Sequence, residues 1–145
     1  HRLWDACEAK SLFVSSLAAS DPYKAKDIAA TLGELSPPVY AGIAGSMTAH
    51  DPEAAVQFSL QIQSPDAAKQ AIQATFKGWM CQDSIAASER ASQLPKGTIR
   101  DFAAESIVRE SVRSGDLDSA VSWAESISSD EIREPLLQEI RRSLK

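Results

Sequence analysis

Four aspartates recur at near-regular intervals and limit what this chain can fold into. Asp21, Asp51, Asp83 and Asp116 are separated by 30, 32 and 33 residues. Four residues after each comes alanine: Ala25, Ala55, Ala87 and Ala120. Seven after come Ile28, Phe58, Arg90 and Trp123, and eleven after come Leu32, Ile62, Leu94 and Ile127. Offsets of four, seven and eleven fall on one face of an α-helix. Each aspartate therefore heads a helix, helix A of a repeating unit.

Counting backwards gives a second helix, B. Leu17, Met47, Trp79 and Val112 stand four residues before the aspartates, and Phe13, Ile43, Thr75 and Val108 stand eight before. Twelve before are Ala9, Val39, Ala71 and Ala104. This is again one stripe at helical spacing. Five before each aspartate the residue is small (Ser16, Ser46, Gly78, Ser111), which marks a close approach by a neighbouring helix. Leu136, Ile140 and Leu144 continue the B pattern near the C-terminus.

The helix starts agree with the stripes. Aspartate at an N-cap accepts a backbone N–H, and its charge suits the positive end of the helix. Pro22 and Pro52 follow at the first helical position, where a missing N–H costs nothing. Starts of helix B are read at Ser36-Pro37, at Ser64-Pro65, at Thr98 with Asp101 three residues on, and at Ser128 with Glu131 three on. The last resembles a capping box. Pro135 is tolerable if the final helix begins near Glu131.

The expected fold is all-α. About nine helices fall near 2–19, 22–33, 38–49, 52–63, 66–81, 84–93, 99–113, 117–127 and 131–144. Abundant alanine and serine without β-branched runs favour helix over strand. Short connections make sequential helices antiparallel neighbours. A single hairpin cannot bury its own stripe, so the hairpins are expected to stack as a right-handed α-solenoid. No linker divides the chain. It reads as one helical-repeat domain over 1–145, with units near 20–49, 50–81, 82–114 and 115–145 after a first helix over 2–19.

The run Gly115-Asp116-Leu117-Asp118-Ser119-Ala120-Val121-Ser122-Trp123 resembles the second helix of a tetratricopeptide-like repeat, in which a Gly-Asp turn precedes an alanine and an aromatic. The Asp-Pro-x-x-Ala-x-x-aromatic unit is also similar to short helical-hairpin repeats found in tandem in bacterial proteins. The resemblance runs from about Ala9 to Leu144. The period departs from the roughly 34 residues of the standard tetratricopeptide unit, and the Leu-Gly-x-x-Tyr element is missing. Similarity to this superfamily and to HEAT-like solenoids implies a protein-interaction scaffold rather than an enzyme.

The residues themselves carry few signs of chemistry. His50 precedes Asp51 where the other units have Ser20, Gln82 and Gly115, so it reads as a variable linker residue. No His-x-x-x-His, Cys-x-x-Cys or glycine-rich phosphate loop occurs, and no metal or cofactor site is expected. Cys7 and Cys81 read as small, buried or half-buried thiols. The carboxylate pairs Asp5/Glu8 and Asp101/Glu105 are close enough in sequence to share a helix face, but nothing marks them as a sheltered acid–base site. No catalytic residue is assigned. Trp79 and Trp123 fall on core stripes, and Trp4 lies off them.

Three arginines are the candidate partner-binding residues. Arg90 stands where the other units have Ile28, Phe58 and Trp123, so it either lies along the seam or faces a groove. Arg109 and Arg113 are four apart and share a face, within a run of basic residues that includes Arg100, Arg133, Arg141 and Arg142. Their alternative use is an ordinary solvated helix face; Glu105 and Arg109 are spaced for an ion pair. A net charge of −5 and a pI near 5.0 argue against broad nucleic-acid binding.

The expected function is a non-enzymatic scaffold binding a protein or peptide, with an acidic partner favoured. The alternatives are a HEAT-like solenoid acting on nucleic acid and a structural segment of a longer repeat array. No apolar run approaches the roughly 20 residues that span a bilayer, so no membrane insertion is expected of this segment. The chain begins with His1 and reads as an excised or processed piece, which leaves the compartment open between cytoplasm, slightly favoured, and periplasm.

Overall fold

In a computed structural model of the chain the described residues are Val14, 16–32 and 35–144. Among them, all regular structure is helical. A helical stretch over 16–20 (α1) leads into α2 (Pro22–Leu32), α3 (Pro37–His50), α4 (Pro52–Gln61) and α5 (Pro65–Gln82). These are followed by α6 (Ser84–Gln93), α7 (Thr98–Ser114), α8 (Leu117–Glu125) and α9 (Asp130–Ser143). From α2 onward every bound lies within two residues of its expected place. The even-numbered helices are the A helices, and α3, α5, α7 and α9 are B helices.

All four aspartates do the same work. The Asp21 carboxylate accepts the Lys24 N–H at 3.1 Å and Asp51 that of Ala54 at 3.2 Å. Asp83 accepts from Ala86 at 3.1 Å and Asp116 from Ser119 at 3.2 Å. Each aspartate carbonyl takes the N–H of the alanine four residues on, at 3.0 to 3.2 Å. The aspartate N–H is used as well: Asp21, Asp51 and Asp83 donate at 2.7 Å to Leu17, Met47 and Trp79, closing the last turn of the preceding B helix. One residue thus ends one helix and starts the next.

The fourth junction is one residue longer. Gly115 adopts a left-handed φ of 88°, open to glycine at little cost. Its N–H donates to the Val112 carbonyl at 3.1 Å, and the next N–H, of Asp116, donates to Ser111 at 2.9 Å. This is the Schellman ending of α7, and Asp116 then caps α8.

Contacts divide the chain into two compact units, His1–Thr75 and Phe76–Lys145, with the boundary inside α5. In the first, α3 packs on both α2 and α4. Its core gathers the expected stripes: Ala25, Ile43, Met47 and Ala55 are fully buried, with Val39 and Phe58 nearly so. Tyr40 stacks on Phe58 with ring centroids 6.3 Å apart. Thr75 takes a position that is apolar in the other units. Its hydroxyl is satisfied by the Ala71 carbonyl at 2.9 Å, and Ser59 lies 3.4 Å from it; a buried hydroxyl left unpaired would be costly.

In the second unit α8 packs on α7 and α9, and α7 also touches α9, the next B helix. The core holds Ala104, Val108, Ala120, Ala124, Ile127, Leu136 and Ile140, with Trp123 packed against it. The repeated alanine is fully buried in all four units, at Ala25, Ala55, Ala87 and Ala120. A side chain this small lets the facing helix approach closely.

Several expected details are corrected. Gly97, at φ 150°, rather than Thr98 is the N-cap of α7, and no side chain caps it. Ser36 is the N-cap of α3, but its side chain makes no capping hydrogen bond. Ser129, not Ser128, is the N-cap of α9, again without a side-chain bond of its own. Leu144 falls beyond the last residue of α9 and is 65% exposed, so it does not extend the stripe. Cys81 is exposed rather than buried. Ala9, Phe13, Trp4, Cys7, Asp5, Glu8 and His1 lie outside the described residues.

Asp116 carries a pH signature. The Ser119 side chain, and then its backbone N–H, hold the carboxyl below its ordinary 3.8. A depressed carboxyl stabilises the fold above the unfolded value, and that contribution disappears as pH falls through the lowered folded one. A carbon-detected NMR titration is expected to place the Asp116 midpoint below 3.8, and Ser119→Ala to raise it. A wild-type midpoint at or above 3.8 contradicts the capping geometry.

Candidate functional site

The B helices of the second unit gather charge on one open cleft of about 280 Å³. Lys77 comes from α5, Ser106, Arg109, Glu110, Val112 and Arg113 from α7, and Glu139 from α9. Two of the three sequence-assigned arginines, Arg109 and Arg113, meet here. Arg90 does not line the cleft; it sits half-buried in the last turn of α6.

The arginines are held by carboxylates. Arg109 donates to Glu105, one turn earlier on α7, at 3.1 Å through Nη2 and 3.4 Å through Nε. It also reaches across to Glu139 on α9, with both carboxylate oxygens at 3.5 Å from Nη1. Arg113 donates to Glu110 at 3.0 Å, and the Cys81 thiol donates to the same Glu110 oxygen at 3.6 Å. The side chains of Glu105 and Glu110 are 16% and 10% exposed, whereas Glu139 is 45% exposed. Among the described residues Lys77 is the lining cation outside these ion pairs. Val112 contributes the apolar part of the wall.

A buried carboxylate sets where α9, and so Glu139, begins. Asp101 on α7 is 4% exposed, and its two oxygens accept the N–H groups of Ser128 at 3.0 Å and Ser129 at 3.2 Å. The residue read with Thr98 as marking the start of its own helix caps the next B helix. Arg133 completes the turn by donating to the Ile127 carbonyl at 2.9 Å and pairing with Asp130.

Sequence reasoning missed Lys77, Glu110 and Glu139. A register signal for two of them exists: Lys77 and Glu110 both stand six residues before a junction aspartate, Asp83 and Asp116. Read as a column, that offset falls on the helix face opposite the stripe at offsets four, eight and twelve. Glu139 is not marked in this way, because no fifth aspartate sets its register.

The remaining candidates are dispersed. His50 is an exposed last residue of α3. Among the described residues no cluster of three His, Cys, Asp or Glu side chains is arranged to hold a metal ion. No described helix is long and apolar enough to cross a membrane. Comparison with protein-family models, curated proteins and solved structures gives no match.

Asp101→Ala is expected to lower the stability of the second unit by about 1.5–3 kcal/mol, the range for hydrogen bonds to a charged group. Hydrogen exchange checks the cause: the Ser128 and Ser129 amides should exchange faster, with the Ala54 amide unchanged. Equal protection in variant and wild type contradicts the assignment.

Proposed function

We propose that this chain is a non-enzymatic helical-repeat scaffold, a segment of right-handed α-solenoid that binds a protein or peptide. The binding face is the B-helix cleft of the second unit, with Arg109, Arg113 and Lys77 as its contacts. The observation that carries this reading is the convergence of three B helices on one charged, open cleft. A stacked-hairpin array offers such a face because each B helix lies beside the B helix of the next unit, and α7 does touch α9.

Recognition here is surface complementarity. The arginine stems and Val112 give apolar area, and the guanidinium groups give directed donors for carboxylates. The interleaved Glu110 and Glu139 speak against a nucleic-acid backbone, whose phosphates they would repel. They are compatible with a protein segment of mixed charge.

The test is capture of a binding partner by the wild-type chain and by an Arg109→Glu/Arg113→Glu double variant with unchanged far-UV circular dichroism. A partner bound by the wild type and lost by the variant, with binding weakened by added salt, supports the reading. Equal capture by both proteins would overturn it.

A further inference from the structure

We infer that Glu139 is an internal competitor in the cleft, occupying the place that an acidic side chain of the partner takes on binding. This rests on the proposed binding face and names the chemistry of its occupant: an acidic peptide segment, one carboxylate of which replaces Glu139 at Arg109.

The three carboxylates around the arginines are not equivalent. Glu105 and Glu110 are largely covered, and each holds its arginine at 3.0 to 3.1 Å from the same helix. Both belong to α7 itself; Glu110 lines the cleft, and Glu105 fixes Arg109 without lining it. Glu139 is different in three respects. It comes from another helix, its side chain is 45% exposed, and it meets Arg109 only at 3.5 Å. An exposed pair of this kind adds little to stability, so exchanging one carboxylate for another is nearly neutral for the fold. The arginine itself is 53% exposed and so stays reachable from solvent.

Charge complementarity fixes the sign of the occupant. Arg109, Arg113 and Lys77 outnumber Glu110 and Glu139 among the lining residues. Displacing Glu139 leaves a cationic excess beside Lys77. A basic segment would meet three cations. An acidic one gains Arg109 and Lys77 together, with its stem against Val112. Glu139 thereby sets affinity low and makes it salt-sensitive, and it refuses occupants unable to replace its carboxylate.

The experiment is fluorescence anisotropy with an end-blocked, fluorescein-labelled nonapeptide of alternating glutamate and alanine. A lysine–alanine peptide and a single-stranded oligonucleotide of equal length serve as comparators. Glu139→Gln is expected to tighten the acidic peptide about two- to fivefold, and Lys77→Ala to weaken it by a similar factor, the scale of one exposed charge pair. Acidic-peptide binding that is unchanged or weakened in Glu139→Gln overturns the competitor role while leaving the binding face standing. Absence of binding by any peptide to wild type and variant overturns both. Tighter binding of the oligonucleotide than of the acidic peptide assigns the cleft to nucleic acid, and the inference falls.

Discussion

An α-helix leaves unpaired N–H groups at its start and unpaired carbonyls at its end, and a junction of one or two residues between helices must satisfy both within almost no sequence. Aspartate does this at each B-to-A junction. Its N–H bonds back to the outgoing helix at all four junctions, its carboxylate caps the incoming one, and its carbonyl receives the first helical bond from a fully buried alanine. Because the link is so short, the two helix axes have little freedom, and the alanine is carried to the place where the next helix packs. The core stripes follow from that placement.

The same logic explains where the pattern bends. At the α7–α8 junction a glycine is inserted, and its left-handed φ lets the helix end in a Schellman turn before Asp116 takes up capping. On the other side of the hairpins, where A helices hand over to B helices, no comparable device recurs among the described residues. Ser64 accepts only at 3.5 Å, Ser36 makes no side-chain cap, and α9 borrows a cap from Asp101 on α7. That last arrangement ties two successive B helices together and fixes one wall of the charged cleft.

How much of this was legible in the sequence depends on the range of the interaction. Helix type and bounds were readable because Asp, Ala and the apolar stripe are local signals spaced within one turn of each other. The role of Asp101 was not, since it depends on where a different helix begins; Asp101 lies three residues after Thr98, where local capping chemistry points the wrong way. In the cleft, Arg109 and Arg113 were readable from their shared face. Glu139 was hidden because its partner lies 30 residues away in sequence. Arg90 was singled out by its departure from an apolar column, and that departure reflects a half-buried position outside the cleft.

If the four junction aspartates hold the fold as hydrogen-bond acceptors, removing the acceptor at all four must weaken it far more than removing the charge. Urea unfolding is measured for the chain with Asp21, Asp51, Asp83 and Asp116 all changed to asparagine, and again with all four changed to alanine. Asparagine retains the acceptor, so the first variant should remain folded with a modest loss. The second should lose about 1 kcal/mol at each of Asp21, Asp51 and Asp83, with a further loss at Asp116. Equal stability of the alanine variant and the wild type would show that the aspartate caps do not hold the fold.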